Sequence, residues 1–100
     1  MKELKYFRDI KKNDYLLFKR NDKEDKEDNK LIFSEVVDIR KGIIFMNDRG
    51  VNDGYKKDNE EHNIKELDGG IDVDDYNWKF FRLTKKETQK YKDKILVECI

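Results

Sequence analysis

The segment from Trp78 to Leu83 constrains the fold most, because it carries aromatic residues on both faces of a candidate strand. Side chains alternate along a strand, which gives two faces: Trp78, Phe80 and Arg82 on one, and Lys79, Phe81 and Leu83 on the other. Such a strand must be covered twice, as in a small barrel with a helix outside it, or must leave one aromatic ring exposed for a partner.

A helix is predicted directly after this strand. In Thr84-Lys-Lys-Glu87 the threonine can accept from the third helical amide and the glutamate can reach back to the cap amide, so the helix should begin at Lys85. Its inward stripe is expected to consist of Thr88, Tyr91 and Ile95, with lysines on the exposed face. Residues 95–100 are mostly apolar, and periodicity does not distinguish a last helical turn from a closing strand.

Two further stretches have the composition of strands. Residues 14–19 are rich in aromatic and aliphatic side chains and lie between two Asn-Asp turns. Residues 31–39 and 42–47 should form a β-hairpin through Arg40-Lys41-Gly42. The first of these strands places Leu31, Phe33, Val37 and Ile39 in phase, with Glu35 at a bulge.

The polar segments predict turns and loops. Residues 20–30 contain no apolar residue and should form a solvated loop. Residues 47–50 predict a second turn, and residues 56–70 predict a long acidic surface loop. Residues 4–12 are compatible with a short helical turn.

These elements predict a single domain, residues 1–100, that is mainly β (α+β): a small SH3-like barrel or curved antiparallel sheet with a C-terminal helix. The phrase Ile10-Lys-Lys-Asn-Asp-Tyr-Leu-Leu-Phe18, followed by a polar loop and a long hairpin, resembles the first strand of SH3-like barrels. The resemblance covers about half of the chain and has Asn13 where glycine is frequent. It implies a fold and says nothing about function.

The charges of the chain are segregated along the sequence. Residues 1–20 carry seven Lys/Arg against three Asp/Glu, residues 51–75 carry three against nine, and residues 76–100 carry seven against three. Both ends are therefore basic and the middle is acidic, although the net charge is zero. Either the ends and the middle neutralise one another in the fold, or the charges mark a contact surface.

The sequence predicts a soluble cytoplasmic protein. Its single cysteine, Cys99, excludes an intramolecular disulfide. The first ten residues lack the apolar run of a signal peptide, and no stretch approaches the roughly 18 apolar residues of a membrane span.

No catalytic signature is found, so we expect no enzyme activity and no cofactor. His62 is expected to be an exposed loop histidine, no pairing with Ser34 can be inferred, and Cys99 is expected to be buried and inert. Asp72, Asp74, Asp75 and Asn77 offer oxygen ligands for a hard cation, but the calcium-loop glycine and glutamate are missing. A solvated acidic turn without a metal is expected there.

The leading hypothesis is a non-catalytic, cytoplasmic protein-binding module. Its contact surface would combine the acidic region 56–77 with an aromatic or arginine anchor, because such anchors dominate interface energetics and charge governs partner choice. The expected binding residues are Asp72, Asp74, Asp75, Tyr76, Trp78 and Arg82. The partner would be another protein with a basic surface, and one version is a small inhibitor encoded by a mobile genetic element.

The alternative is a small barrel that binds single-stranded nucleic acid. Basic and aromatic residues adjoin in Lys5-Tyr-Phe-Arg8 and Trp78-Lys-Phe-Phe-Arg82, and such surfaces hold single strands. The acidic middle and a pI near 6.6 oppose this unless the charges are well separated in space.

Overall fold

The computed structural model describes residues 1–20, 31–51, 54–67, 70–73 and 76–98, with the backbone alone for 20, 66–67, 70–73, 76–77 and 96–98. The described elements are β1 (Lys2–Leu4), a 3₁₀ helix (Phe7–Asp9), β2 (Tyr15–Arg20), β3 (Leu31–Arg40), β4 (Ile43–Gly50), β5 (Lys56–Leu67), β6 (Gly70–Val73), β7 (Tyr76–Arg82) and α1 (Lys85–Glu98).

One curved, antiparallel sheet contains all of these strands. The pairing order is β1-β7-β2-β3-β4-β5-β6, and β6 also pairs with β7. One edge of β7 thus pairs with β2, while its other edge pairs with β1 and β6. The predicted class, a mainly β fold with a C-terminal helix, is confirmed.

Strand β7 is covered on both faces, as its aromatic pattern requires. Trp78 and Phe80 belong to the core cluster on the concave side of the sheet. Phe81 and Leu83 face the opposite side, where they pack in a second cluster with Ile95 of α1. The concave cluster consists of Leu4, Ile10, Leu16, Phe18, Val36, Ile44, Met46, Ile64, Trp78 and Phe80.

The predicted hairpin is confirmed, but its bulge lies elsewhere. β3 and β4 pair from Arg40↔Ile43 onward, and Gly42 has a φ of 73°, which glycine adopts without a steric penalty. The register shifts between Val36 and Asp38 rather than at Glu35. Val36 is therefore the buried residue where Val37 was expected.

The predicted capping box forms at the start of α1. The Thr84 amide donates to Glu87 Oε1 at 3.1 Å, and the Glu87 amide donates to Thr84 Oγ1 at 3.2 Å. Thr88 and Ile95 are buried and Tyr91 is half-buried, as the helical spacing predicts. The helix continues to Glu98, which resolves most of the ambiguous segment; Cys99 and Ile100 lie outside the described residues.

The prediction of an acidic loop over residues 56–70 is wrong, because most of this range forms β5. Its polar residues gain backbone partners along β4, and Ile64 reaches the concave core. Asn59 has a φ of 52° where the register shifts, and its amide donates to Asn47 Oδ1 at 3.0 Å. A bulge therefore lets this polar strand follow the curvature of the sheet.

Two other local predictions also change. Residues 47–50 continue β4 instead of forming a turn, since they pair in continuous register with residues 32–35 of β3 and, after a register shift, with Lys56 and Lys57 of β5. The helical turn predicted for residues 4–12 is reduced to the 3₁₀ helix, because Lys2–Leu4 pairs with β7. Strand β2 takes Arg20 from the predicted loop, and residues 21–30 lie outside the described residues.

Candidate functional site

Trp78 is part of the core and is only 9% exposed. Its ring meets the ring of Phe18 edge-on, with centroids 5.0 Å apart. Most of the Trp78 ring is therefore covered by the fold.

Arg82 connects the two basic ends of the chain, residues 1–20 and 76–100. Its Nε donates to Asp14 Oδ2 at 3.1 Å, and its Nη2 donates to the backbone carbonyl of Asp9. Asp14 Oδ2 also accepts the Lys11 amide at 2.9 Å. This guanidinium fixes the segment before β2 against the end of β7, which is a structural role.

The expected acidic contact residues are described only in part. Asp72 lies on β6, where its backbone pairs with Lys65 of β5 and Asn77 of β7. Tyr76 begins β7 opposite Val73. Asp74 and Asp75 lie outside the described residues.

The fold brings the two basic ends of the chain together. β7 pairs with both β1 and β2, so strands from residues 1–20 lie on either edge of the strand that leads into α1. The α-amino group of Met1 lies 2.9 Å from Glu87 Oε1 on the first turn of α1. We call this assembly of β1, the 3₁₀ helix, β2, β7 and α1 the basic side.

An open cleft of about 460 Å³ lies on the basic side, between the start of β2, the end of β7 and the first half of α1. Its lining residues are Asn13, Asp14, Tyr15, Arg82, Leu83, Lys85, Thr88, Gln89 and Lys92. Three cationic side chains line it against one carboxylate. An anionic group is therefore the ligand chemistry that this cleft favours.

Lys92 is held in place at one end of the cleft. Its Nζ donates to the Tyr15 hydroxyl at 3.1 Å and lies 4.4 Å from the centre of the Tyr15 ring. Tyr15 in turn stacks on Phe33, with centroids 5.8 Å apart, and Phe33 stacks on Tyr91 of α1. The ammonium is thereby positioned by the packing between α1 and the sheet.

Among the described side chains of the basic side, Tyr6 is the most exposed aromatic residue. It is 48% exposed, and the Arg8 guanidinium lies 4.7 Å from its ring centre. Phe7, its neighbour, packs against the concave core instead. Of the aromatics in the phrase Lys5-Tyr-Phe-Arg8, Tyr6 is thus the one that a ligand could reach.

A buried polar network on the concave side was not predicted. Ser34 Oγ donates to Asp48 Oδ1 at 2.5 Å, and His62 Nε2 lies 2.7 Å from Asp48 Oδ2. Ser34 and Asp48 are nearly inaccessible and His62 is 9% exposed, so the prediction of an exposed loop histidine is wrong. The signal was in β4: Ile44, Met46 and Asp48 alternate in phase, which would have buried Asp48 and required partners for it.

The network does not have the arrangement of a nucleophilic triad. Asp48 lies between the serine and the histidine, so the Ser34 hydroxyl gives its hydrogen bond to a carboxylate and not to the imidazole that would act as its base. Ser34 is also fully buried. The three residues satisfy one another's polar atoms inside the sheet.

Within the ranges given above, no three His, Cys, Asp or Glu side chains are grouped so that they could hold a metal ion. None of the helices in the described part of the chain has both the length and the apolar character needed to cross a membrane.

The chain matches no family model, and comparisons with curated proteins and with solved structures find no match.

Proposed function

We propose that this protein is a non-catalytic module that binds single-stranded nucleic acid on its basic side. The observation that carries the proposal is the pairing of β7 with both β1 and β2, which joins the two basic ends of the chain. Residues 1–20 and 76–100 each carry a net charge of +4; because the whole chain is neutral, residues 21–75 carry −8. We therefore favour single-stranded nucleic-acid binding over the protein-binding module that the sequence favoured.

A net charge of zero is compatible with nucleic-acid binding when the positive and negative charges are separated in space. The molecule measures 38 × 32 × 23 Å. Exposed charges interact over a Debye length of only about 8 Å at physiological ionic strength. A phosphate chain at the surface of α1 would respond mainly to the lysines near it, and electrostatic affinity for nucleic acid depends on such local contacts.

Tyr6 supplies an accessible ring for a base. Stacking of a base on an aromatic side chain contributes about 1–3 kcal/mol and tolerates any sequence. The adjacent Arg8 and Lys5 would contact the backbone on either side of the stacked base. Trp78, which the sequence suggested for this role, lies in the core.

The test compares two charge-reversed triple variants for binding to an oligothymidylate of about 12 nucleotides, within the usual range of site sizes. Reversal of Lys85, Lys86 and Lys90 to glutamate should abolish measurable binding in fluorescence anisotropy. Reversal of Asp72, Asp74 and Asp75 to lysine should leave binding intact or strengthen it. Loss of binding in the Asp72, Asp74 and Asp75 variant, with the lysine-reversed variant still binding, would contradict the proposal.

A second candidate keeps the protein-binding module with an acidic contact surface on residues 56–77. The net charge of −8 on residues 21–75 supports it, since such a charge would attract a partner with a basic surface. An inhibitor encoded by a mobile genetic element remains one version of this proposal. It predicts the opposite ranking of the two triple variants when binding to a captured partner protein is measured.

A further inference from the structure

We propose that the cleft between β2, β7 and α1 is a phosphate-binding subsite, in which Lys85 and Lys92 hold one phosphate group of the bound strand. This inference rests on the proposed function for the origin of the phosphate. The subsite itself is defined by the residues that line the cleft.

The charge balance inside the cleft leaves two cations for a ligand. Arg82 is paired with Asp14, so these two side chains largely neutralise each other. Lys85 and Lys92 also line the cleft, and Lys92 has the Tyr15 hydroxyl and ring as its contacts there. Lys85 and Lys92 lie on the same side of α1 and about two helical turns apart, so their side chains can approach an anion in the cleft from opposite ends.

Lys92 is ordered before any ligand arrives. A free lysine loses rotamer entropy when it is fixed. The contacts with Tyr15 restrict this side chain in the folded protein, so binding an anion costs less additional entropy. The side chain can bind a phosphate oxygen while its stem stays packed.

The cleft suits a phosphate and its attached sugar better than a base. Tyr15 is already engaged by Phe33 and by Lys92, so its ring is not available for stacking. The amides of Asn13 and Gln89 add polar lining, although Gln89 Nε2 already donates to Asp93. The volume of about 460 Å³ exceeds that of a phosphate and lies within the range of small-molecule sites.

We attribute the attraction mainly to the side chains that line the cleft. The first turn of α1 is closed by its capping box, with Thr84 Oγ1 accepting the Glu87 amide. Charge-neutralising substitutions in the cleft should therefore remove the site while the helix persists.

The first experiment uses small probes on the whole protein. Inorganic phosphate and thymidine 5′-monophosphate are titrated while amide resonances are followed by NMR, with thymidine and acetate at matched ionic strength as controls. The shifts should centre on Asn13, Tyr15, Lys85 and Gln89 for the two phosphates and should be absent for thymidine. Equal shifts with acetate, or shifts spread evenly over all exposed lysines, would overturn the subsite.

The second experiment uses two double variants that remove the same charge from the same helix. Lys85→Gln with Lys92→Gln should weaken oligothymidylate binding by roughly tenfold more than Lys86→Gln with Lys90→Gln, because only the first pair lines the cleft. For the first variant, the slope of log K against log salt should be smaller in magnitude by about 0.7, as expected for the loss of one phosphate contact on a single strand. The single variant Lys92→Arg, which keeps the positive charge, should retain most of the wild-type affinity for oligothymidylate.

The failures of the two proposals can be distinguished. Equal losses from the two double variants would overturn the subsite and leave nucleic-acid binding standing. If the wild-type protein binds no oligonucleotide, the proposed function fails, and the phosphate titration still decides whether the cleft is an anion site. If the Lys92 variant does not fold, Lys85→Gln against Lys86→Gln provides the same comparison.

Discussion

The least accessible charged residue described is Asp48, and its environment explains why it is tolerated there. A carboxylate with 1% exposure would destabilise a core if it had no donors, but Ser34 and His62 each engage one of its oxygens. Phe18 meets the His62 ring edge-on and helps to fix its orientation. Three strands are thus connected by polar contacts inside an otherwise apolar cluster.

Asp48→Asn should destabilise the protein by about 1–3 kcal/mol, because the amide nitrogen replaces an acceptor that Ser34 or His62 requires. Asp58→Asn is a matched control on the neighbouring strand: its side chain is 55% exposed and pairs with Arg49 at 2.6 Å, a surface contact worth about 0–1 kcal/mol. Chemical denaturation measures both. Equal effects would show that the buried network adds nothing to stability.

Glu87 predicts how stability depends on pH at a single residue. The α-amino group of Met1, and then the Thr84 amide, lower the pKa of this carboxyl below its ordinary value of 4.5. Its ionised form therefore stabilises the fold above pH 4.5, and this stabilisation is lost as the pH falls through the lowered pKa.

Glu87→Gln should consequently be less stable than wild type at neutral pH, and the difference should shrink as the solution is acidified. Denaturation midpoints measured across the acid range test this. A difference that stays constant with pH would mean that the charge of Glu87 contributes nothing.

Tyr6→Ala should weaken oligothymidylate binding by about 1–3 kcal/mol, the contribution of one stacked base. Tyr55→Ala is the matched control, since Tyr55 is also exposed, at 38%, and immediately precedes β5, which is not one of the elements of the basic side. Fluorescence anisotropy gives both affinities. Equal losses would contradict a specific stacking role for Tyr6.

At the scale of elements, α1 shows how one local signal fixes a boundary. The reciprocal hydrogen bonds of Thr84 and Glu87 set the start of the helix, and its packed stripe covers the outer face of β7 and β3. Thr84 is itself exposed, so its contribution comes from the cap alone.

Thr84→Ala should destabilise the protein by about 0.5–2 kcal/mol, because the Glu87 amide loses its acceptor. Thr84→Ser keeps the hydroxyl and should be close to wild type. The midpoint of chemical denaturation measures the difference. An alanine variant as stable as the serine variant would show that the cap does not limit stability.

The elements that sequence predicts well are those with local signals. The alternation of β7, the glycine of the hairpin and the cap of α1 each lie within a few residues of the element that they predict. β5 lacks such a signal, since its residues are mostly polar and its pairing with β4 supplies the reason for an extended backbone. Ser34, Asp48 and His62 are 14 residues apart in turn, so only the registers of β3, β4 and β5 bring them together.

At the scale of the whole molecule, the fold converts a pattern along the sequence into a pattern in space. The ion pairs of Met1 with Glu87 and of Arg82 with Asp14 each connect one basic end of the chain with the other. The pair of Arg49 with Asp58 lies between β4 and β5. The first two pairs therefore join residues of the basic ends with each other, and the third joins two residues of the acidic middle of the chain.

Binding of an oligonucleotide should weaken steeply as salt is raised, with a slope of log K against log salt of about −0.7 for each phosphate contacted. The Asp72, Asp74 and Asp75 lysine variant should keep the wild-type slope, because the proposed phosphate contacts come from lysine and arginine side chains of the basic side. Anisotropy titrations at several salt concentrations provide the slopes. A slope near zero would exclude a phosphate-based interface.

The pairing of Lys2–Leu4 with Phe80–Arg82 also has a consequence for the synthesis of the protein. Strand β7 follows the other described strands in the chain, yet it pairs with β1 and also with one edge of β2 and one edge of β6. Contacts between such distant parts of a chain form slowly, because the intervening loop must close first. Until residues 76–82 have been made, β1 therefore lacks its described partner, and β2 has one edge unpaired.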